Sequence, residues 1–160
     1  MQKVTILCTG KLKEKFYLDA VAEYVKRLSR FCKLEIIELP EQRLPQTPSE
    51  GEIAQALDRE AALIESRIWP GAAVIAMCVE GKPMSSEQLA DYFSRLTVSG
   101  TSKICVLIGG SCGLSERVKK KAALRLSMSP MTFPHHLARV MVLEQIYRAL
   151  NIAAGGKYHK

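Results

Sequence analysis

The chain has 160 residues, 48% hydrophobic and 24% charged, enough for one globular domain to bury a core without disulfide or metal staples. Its 23 Lys and Arg outweigh 16 Asp and Glu for a formal net charge of +7, and no apolar run is long enough to span a bilayer. A membrane-spanning chain and an internally repeated one are excluded, and a polyanionic partner is favoured.

The opening MQKVTILCTG holds one lysine and then strand-like residues, without the extended apolar core and small-residue cleavage site of a signal peptide. It predicts a first strand over Val4 to Cys8. Leu18, Val21, Ala22, Val25 and Leu28 recur at helical spacing and predict a helix from Phe16 to about Phe31. Leu34 to Leu39 alternates and is rich in β-branched residues, a second strand. PEQRLPQTPSEGE, with three prolines, is a loop. Ile53 to about Ile68 is a second helix with Ala54, Leu57, Ala61 and Ile64 on one face. Ala73 to Val79 is a third strand, apolar on both faces as in a covered parallel sheet.

Ser85 with Gln88 three positions on predicts a capped helix to about Leu96. Lys103 to Ile108 is a fourth buried strand, a short basic helix starts at Ser115, and ALRLSMS is a fifth strand. The last helix runs from about His136 to Ala153. The alternation predicts an α/β fold, a mostly parallel sheet with helices on both faces and ligands beyond the carboxyl ends of the strands. Three such ends carry candidate chemistry: Met77 to Glu80, Gly109 to Gly113, and Ser127 to Pro134.

Glycines at 109, 110 and 113 do not fit GxGxxG, and no Lys-Ser or Lys-Thr follows Gly113, so phosphate-loop chemistry lacks its spacing. These glycines make either a tight turn or a close approach for a flat ligand. In SMSPMTFPHH, Pro130 and Pro134 stiffen and extend the segment and leave backbone groups free to bond an adenine edge. Met128, Met131 and Phe133 either pack in the core or form apolar walls for a ring. His135 and His136 are adjacent, diverge, and lack further ligands, so metal ligation is not expected. No GxSxG, HExxH or Ser-His-Asp pattern indicates a hydrolase. The five cysteines, odd in number and without CxxC, read as reduced thiols of a cytosolic protein.

Positive charge gathers at Lys11, Lys13 and Lys15, at Arg117, Lys119, Lys120 and Lys121, and at Lys157 and Lys160. Each cluster is either a solvated face or a contact; together they favour nucleic acid. The last helix is apolar nearly all round. One sheet covers one side, and a second copy of the chain is expected on the other.

TILCTGKLKEKF, IGGSCGL, LSMSPMTFPH, ARVMVLEQIYRA and the closing YHK together resemble the large-subunit rRNA methyltransferase H family, a minimal branch of the SPOUT (α/β-knot) methyltransferases. The resemblance covers essentially the whole chain, as a single domain with no separate RNA-binding domain. It implies a C-terminal trefoil knot that binds S-adenosylmethionine, completed at a homodimer interface in the cytoplasm. It implies cofactor contacts from Met77, Gly109, Met128, Ser129, Pro130, Met131, Thr132 and Phe133. The implied reaction is methylation of N3 of a pseudouridine in the helix 69 loop of 23S rRNA, within the assembled 70S ribosome. His159 or His135 would take the N3 proton, Arg139 would stabilise the imide anion or hold a phosphate, and Tyr158 would stack on the base. On that expectation, replacing Arg139 or truncating after Gly156 abolishes turnover and spares cofactor binding. Cys112, where the family commonly has a polar or acidic residue, and His136 depart from the family's usual look. Two other readings fit the β/α alternation: a SPOUT enzyme acting on tRNA or a ribose 2′-hydroxyl, and a non-catalytic flavodoxin-like or Rossmann-like nucleotide-binding module.

Overall fold

A computed structural model describes residues 1–159. The first half of the chain forms β1 (Gln2–Thr9), α1 (Lys15–Leu28), β2 (Cys32–Leu39) and α2 (Glu50–Glu65). The second half forms β3 (Ala73–Pro83), α3 (Ser86–Val98), β4 (Lys103–Ile108), α4 (Glu116–Lys119), β5 (Leu124–Ser127) and α5 (His135–Ala153). The five strands make one sheet in the order β2-β1-β4-β3-β5, with every neighbouring pair parallel.

Val4, Ile6 and Cys8 of β1, with Ile104, Val106 and Ile108 of β4, pack beneath the layer of α1, α3 and α5. Leu7, Cys105 and Leu107 face the other way, against Ala61 and Ile64 of α2 and Val118 of α4. Both faces of the central strands are therefore dry, which is why their sequences are nearly continuous apolar runs. The expected capping box of α3 is present: Gln88 N–H donates to Ser85 Oγ at 3.1 Å, and Ser85 N–H to Gln88 Oε1 at 2.8 Å.

Several expectations are corrected. Leu18, Ala22 and Val25 of α1 are exposed, whereas Val21, Tyr24 and Leu28 face inward. Tyr24 packs near Tyr147 of α5, with ring centroids 6.4 Å apart, in keeping with that rotation. The helix stops at Leu28, with Ser29 as its carboxyl cap. The second helix starts three residues early because Ser49 and Glu52 make a capping box, and it buries Ala56 and Glu60 while Ala54 is exposed. Strand β3 runs to Pro83 because Gly81 lets it pass against the backbone of Arg125 and Leu126, where a Cβ would collide. Its pairing with β5 shifts register between Met77 and Lys82.

Helix α5 lies between α1 and α3, and no residue of it from His135 to Ile152 is exposed. Leu143, Ile146 and Leu150 are buried by the chain itself, whereas Leu137, Val140, Met141, Glu144 and Arg148 on the other face are only partly covered by it. Further apolar residues are exposed on α1, at Phe16, Leu18 and Val25.

Candidate active site at the carboxyl ends of strands three to five

The ladder between β3 and β4 ends at Ala76, and beyond it a cavity of about 670 Å³ opens. Met77, Gly109, Met128, Ser129, Met131, Thr132 and Phe133 line it; Pro130 does not. Gly109 has a physical reason to be glycine: a Cβ there would run into the backbone of Gly113. That turn is closed by Gly113 N–H on Gly110 C=O at 3.0 Å, with Gly113 at φ +75°.

The loop before α5 is organised by its serines. Ser127 Oγ donates to Ser129 C=O at 3.1 Å, and Met131 N–H donates to Ser129 Oγ at 3.0 Å. Thr132 and Phe133 make no backbone–backbone hydrogen bond. Met128 packs on the main core while bordering the cavity, whereas Met131 is 73% exposed. Core packing therefore accounts for Met128 and not for Met131.

The strand end from Met77 to Glu80 lines the cavity as expected, while sequence reasoning missed Ala138 and Val142 on α5 and Lys119 on α4. Lys119 Nζ meets Glu80 Oε1 at 2.5 Å, and this hydrogen bond is the main cause holding the Glu80 carboxyl below its usual range. Arg117 is likewise paired with Asp58 and Glu65, and Lys121 with Glu65. Three of the four cations of the RVKKK cluster are thus paired within the chain, which favours the solvated-face reading for this cluster.

Of the four residues expected to do chemistry, only His135 lines the cavity. Its Nε2 is buried without a partner. Burial pushes its pKa below the ordinary 6.5, helped by His136 and Arg139 and opposed by Glu41 and Glu14. Arg139 is 2% exposed and faces away from the cavity's lining; its Nη1 donates to Glu38 Oε2 at 2.6 Å and its Nη2 to Gly10 C=O at 3.0 Å. With both ends engaged inside the protein, it is not placed to meet a substrate anion or phosphate.

The tail folds back along α5. Tyr158 donates its hydroxyl to Glu144 at 3.2 Å, and its ring sits 4.8 Å from Tyr147 and 4.5 Å from the Arg148 guanidinium. His159 places Nε2 2.7 Å from Glu87 and Nδ1 3.4 Å from Arg148. Neither lines its own chain's cavity. The readable signal for this second cluster was the pairing of Glu144 with Arg148 at i, i+4. Among the described residues no group of three His, Cys, Asp or Glu is placed to hold a metal ion, and no helix is long and apolar enough to cross a membrane.

A family model described as a predicted SPOUT methyltransferase matches residues 2–159. The chain belongs to the SPOUT methyltransferase family. It is 49% identical over 157 residues to ribosomal RNA large subunit methyltransferase H 1 of Clostridium perfringens, covering 98% of this chain and 99% of that protein. It is also 49% identical over 158 residues to ribosomal RNA large subunit methyltransferase H of Bifidobacterium adolescentis, covering 99% of each. Among solved structures, a probable methyltransferase from Bordetella pertussis superposes with a TM-score of 0.58 at 16% identity, over 93% of this chain and 95% of that one. A probable methylase family protein from Haemophilus influenzae gives 0.51 at 13% identity, over 99% and 70%. These two likenesses are of fold. In this SPOUT methyltransferase the cavity at the carboxyl ends of β3, β4 and β5 is the candidate catalytic centre.

Proposed function

We propose that this SPOUT protein is an S-adenosylmethionine-dependent methyltransferase of large-subunit rRNA, acting in the cytoplasm on N3 of pseudouridine 1915 in the helix 69 loop of assembled ribosomes. The observation that carries the reading is the cavity itself: its Met-Pro loop, Gly109 turn and unpartnered His135 converge in a chain nearly half identical to proteins of that name. Methyl transfer to 70S ribosomes, compared with free rRNA and tRNA, tests it.

The walls fit the cofactor. Met77, Met128 and Phe133 offer apolar, polarisable surface to a flat ring. The unpaired amides of Thr132 and Phe133 suit a purine edge, and glycine at 109 keeps the approach open. S-adenosylmethionine supplies, when bound, a methyl group already activated on a sulfonium.

The protein's own tasks are then alignment and proton removal. His135 Nε2, neutral through burial and without a partner, accepts the N3 proton of the acceptor base. His159 is the weaker candidate for that role, because both of its ring nitrogens are engaged by Glu87 and Arg148. Tyr158, His159 and their anchors Glu144 and Arg148 are supplied to the cavity by a second copy, in a homodimer that covers the exposed apolar residues of α1. The loops that follow β4 and β5 both border the cavity, where the resemblance puts a trefoil knot. With no separate RNA-binding domain, the basic surface of the dimer recognises the ribosome.

A further inference from the structure

A second cavity, of about 650 Å³, shares His135 with the first. Its other walls are the turn after β1, with Gly10, Lys11 and Lys13, the end of β2 with Glu38, and beyond it Glu41 and His136. The turn is fixed from inside. Gly10, at φ +100°, donates its N–H to Leu39 C=O at 2.8 Å and accepts from Arg139 through its own C=O. Leu12 is buried, and its N–H donates to Glu38 Oε2 at 2.8 Å. Residues 10 and 12 are pinned by these bonds, while Lys11 and Lys13 between and after them are exposed at the cavity.

The cavity's two carboxylates already have partners. Glu38 is held by Arg139 and the Leu12 amide. Glu41 accepts from Ser111 N–H at 2.8 Å and Ser111 Oγ at 2.6 Å, which ties this cavity to the glycine turn of the first. His136 Nδ1 lies 3.6 Å from Glu14. By contrast, Lys11 and Lys13 make no ion pair among the described residues, although Lys15 in the same run is paired with Asp19 and Lys119 with Glu80. Without a hydrogen bond among the described residues there remain two ammonium groups, the His136 ring and the buried Nε2 of His135.

Two free cations beside an unpartnered ring nitrogen, on the boundary with a methyl-donor cavity, suit a polynucleotide better than a small anion. We propose that this second cavity seats the RNA strand bearing the acceptor. Lys11 and Lys13 bind the phosphodiesters flanking the acceptor nucleotide, so that its base meets His135 where the two cavities join. Arg139 is then a positioning residue, holding the lysine turn through Gly10 and Glu38. The proposal rests on the activity proposed above and adds where the strand enters.

The test uses the full-length protein with Lys11→Glu and Lys13→Glu together. The control carries the same charge change at Lys33→Glu and Arg67→Glu, both exposed at the far, amino end of the sheet. Binding to 70S ribosomes is scored by co-sedimentation across a salt series. The first variant is expected to bind at least about tenfold more weakly and to lose roughly 1.5 from the log–log salt slope, the share of two phosphate contacts. Its affinity for S-adenosylmethionine, by calorimetry, stays within about twofold, since neither lysine lines the first cavity. Equal losses in both variants would reduce the effect to overall charge and overturn the assignment, as would no loss in the first. Failure of the unaltered protein to methylate ribosomes would contradict the activity alone, because co-sedimentation reads the cavity without turnover.

Discussion

Arg139 and Glu38, 101 residues apart, meet at 2.6 Å beneath the turn that joins β1 to α1. Burial pushes the Glu38 carboxyl up, but the Arg139 hydrogen bond, the Leu12 amide and nearby positive charge together hold it below its ordinary 4.5. Breaking the pair with Arg139→Met is expected to cost about 3 kcal/mol, the low end for a buried pair because Glu38 keeps some water contact. Chemical denaturation measures it. A depressed carboxyl contributes stability that is present above its unfolded value near 4.5 and disappears as pH falls through the folded value. The loss caused by Arg139→Met should therefore shrink as the pH is taken below about 4; a loss independent of pH would mean the pair is not its source.

Gly109→Ala brings a methyl group against the Gly113 backbone. The turn must open to admit it, which displaces one wall of the cavity proposed to hold the cofactor. Cofactor affinity is expected to fall by at least about tenfold, or 1.4 kcal/mol, in isothermal calorimetry. Unchanged affinity would remove this turn from the binding site.

The proposed base, His135, can accept a proton only when neutral, and burial lowers its pKa below 6.5. The rate at saturating substrate should rise with pH and reach half its plateau below pH 6.5. His135→Gln should lower kcat by about 10²- to 10⁴-fold and leave cofactor binding nearly unchanged. A rate that keeps its pH profile in the glutamine variant would point to another base.

The homodimer is tested on α1. Leu18 is 46% and Val25 38% exposed, and neither packs within its own chain's core, so Leu18→Glu with Val25→Glu should leave the fold intact. Sedimentation velocity should show a monomer in place of a dimer. Methyl transfer should fall with it, because on the proposed arrangement Tyr158 and His159 complete the cavity of a second copy. A dimer that survives both charges uses another face.

Local signals in the sequence carried most of the fold. β1 and β4 were legible as apolar runs because both of their faces are buried, and α3 because Ser85 and Gln88 satisfy each other's backbone. The rotation of α1 was not legible: Leu18, Ala22 and Val25 and the set Val21, Tyr24 and Leu28 both keep helical spacing, and packing against α5 goes with the second set. The cavity's Met-Pro loop was readable because proline restricts backbone locally. The partners of Arg139, Lys119 and Arg117 were not, because each ion pair joins residues dozens of positions apart.

The activity itself is tested most directly by transfer of tritiated methyl from S-adenosylmethionine to 70S ribosomes, with free 23S rRNA and bulk tRNA alongside. Label confined to ribosomes, and within them to the helix 69 fragment, is the predicted result. Label on tRNA, or none on ribosomes from a protein that binds the cofactor, would contradict it.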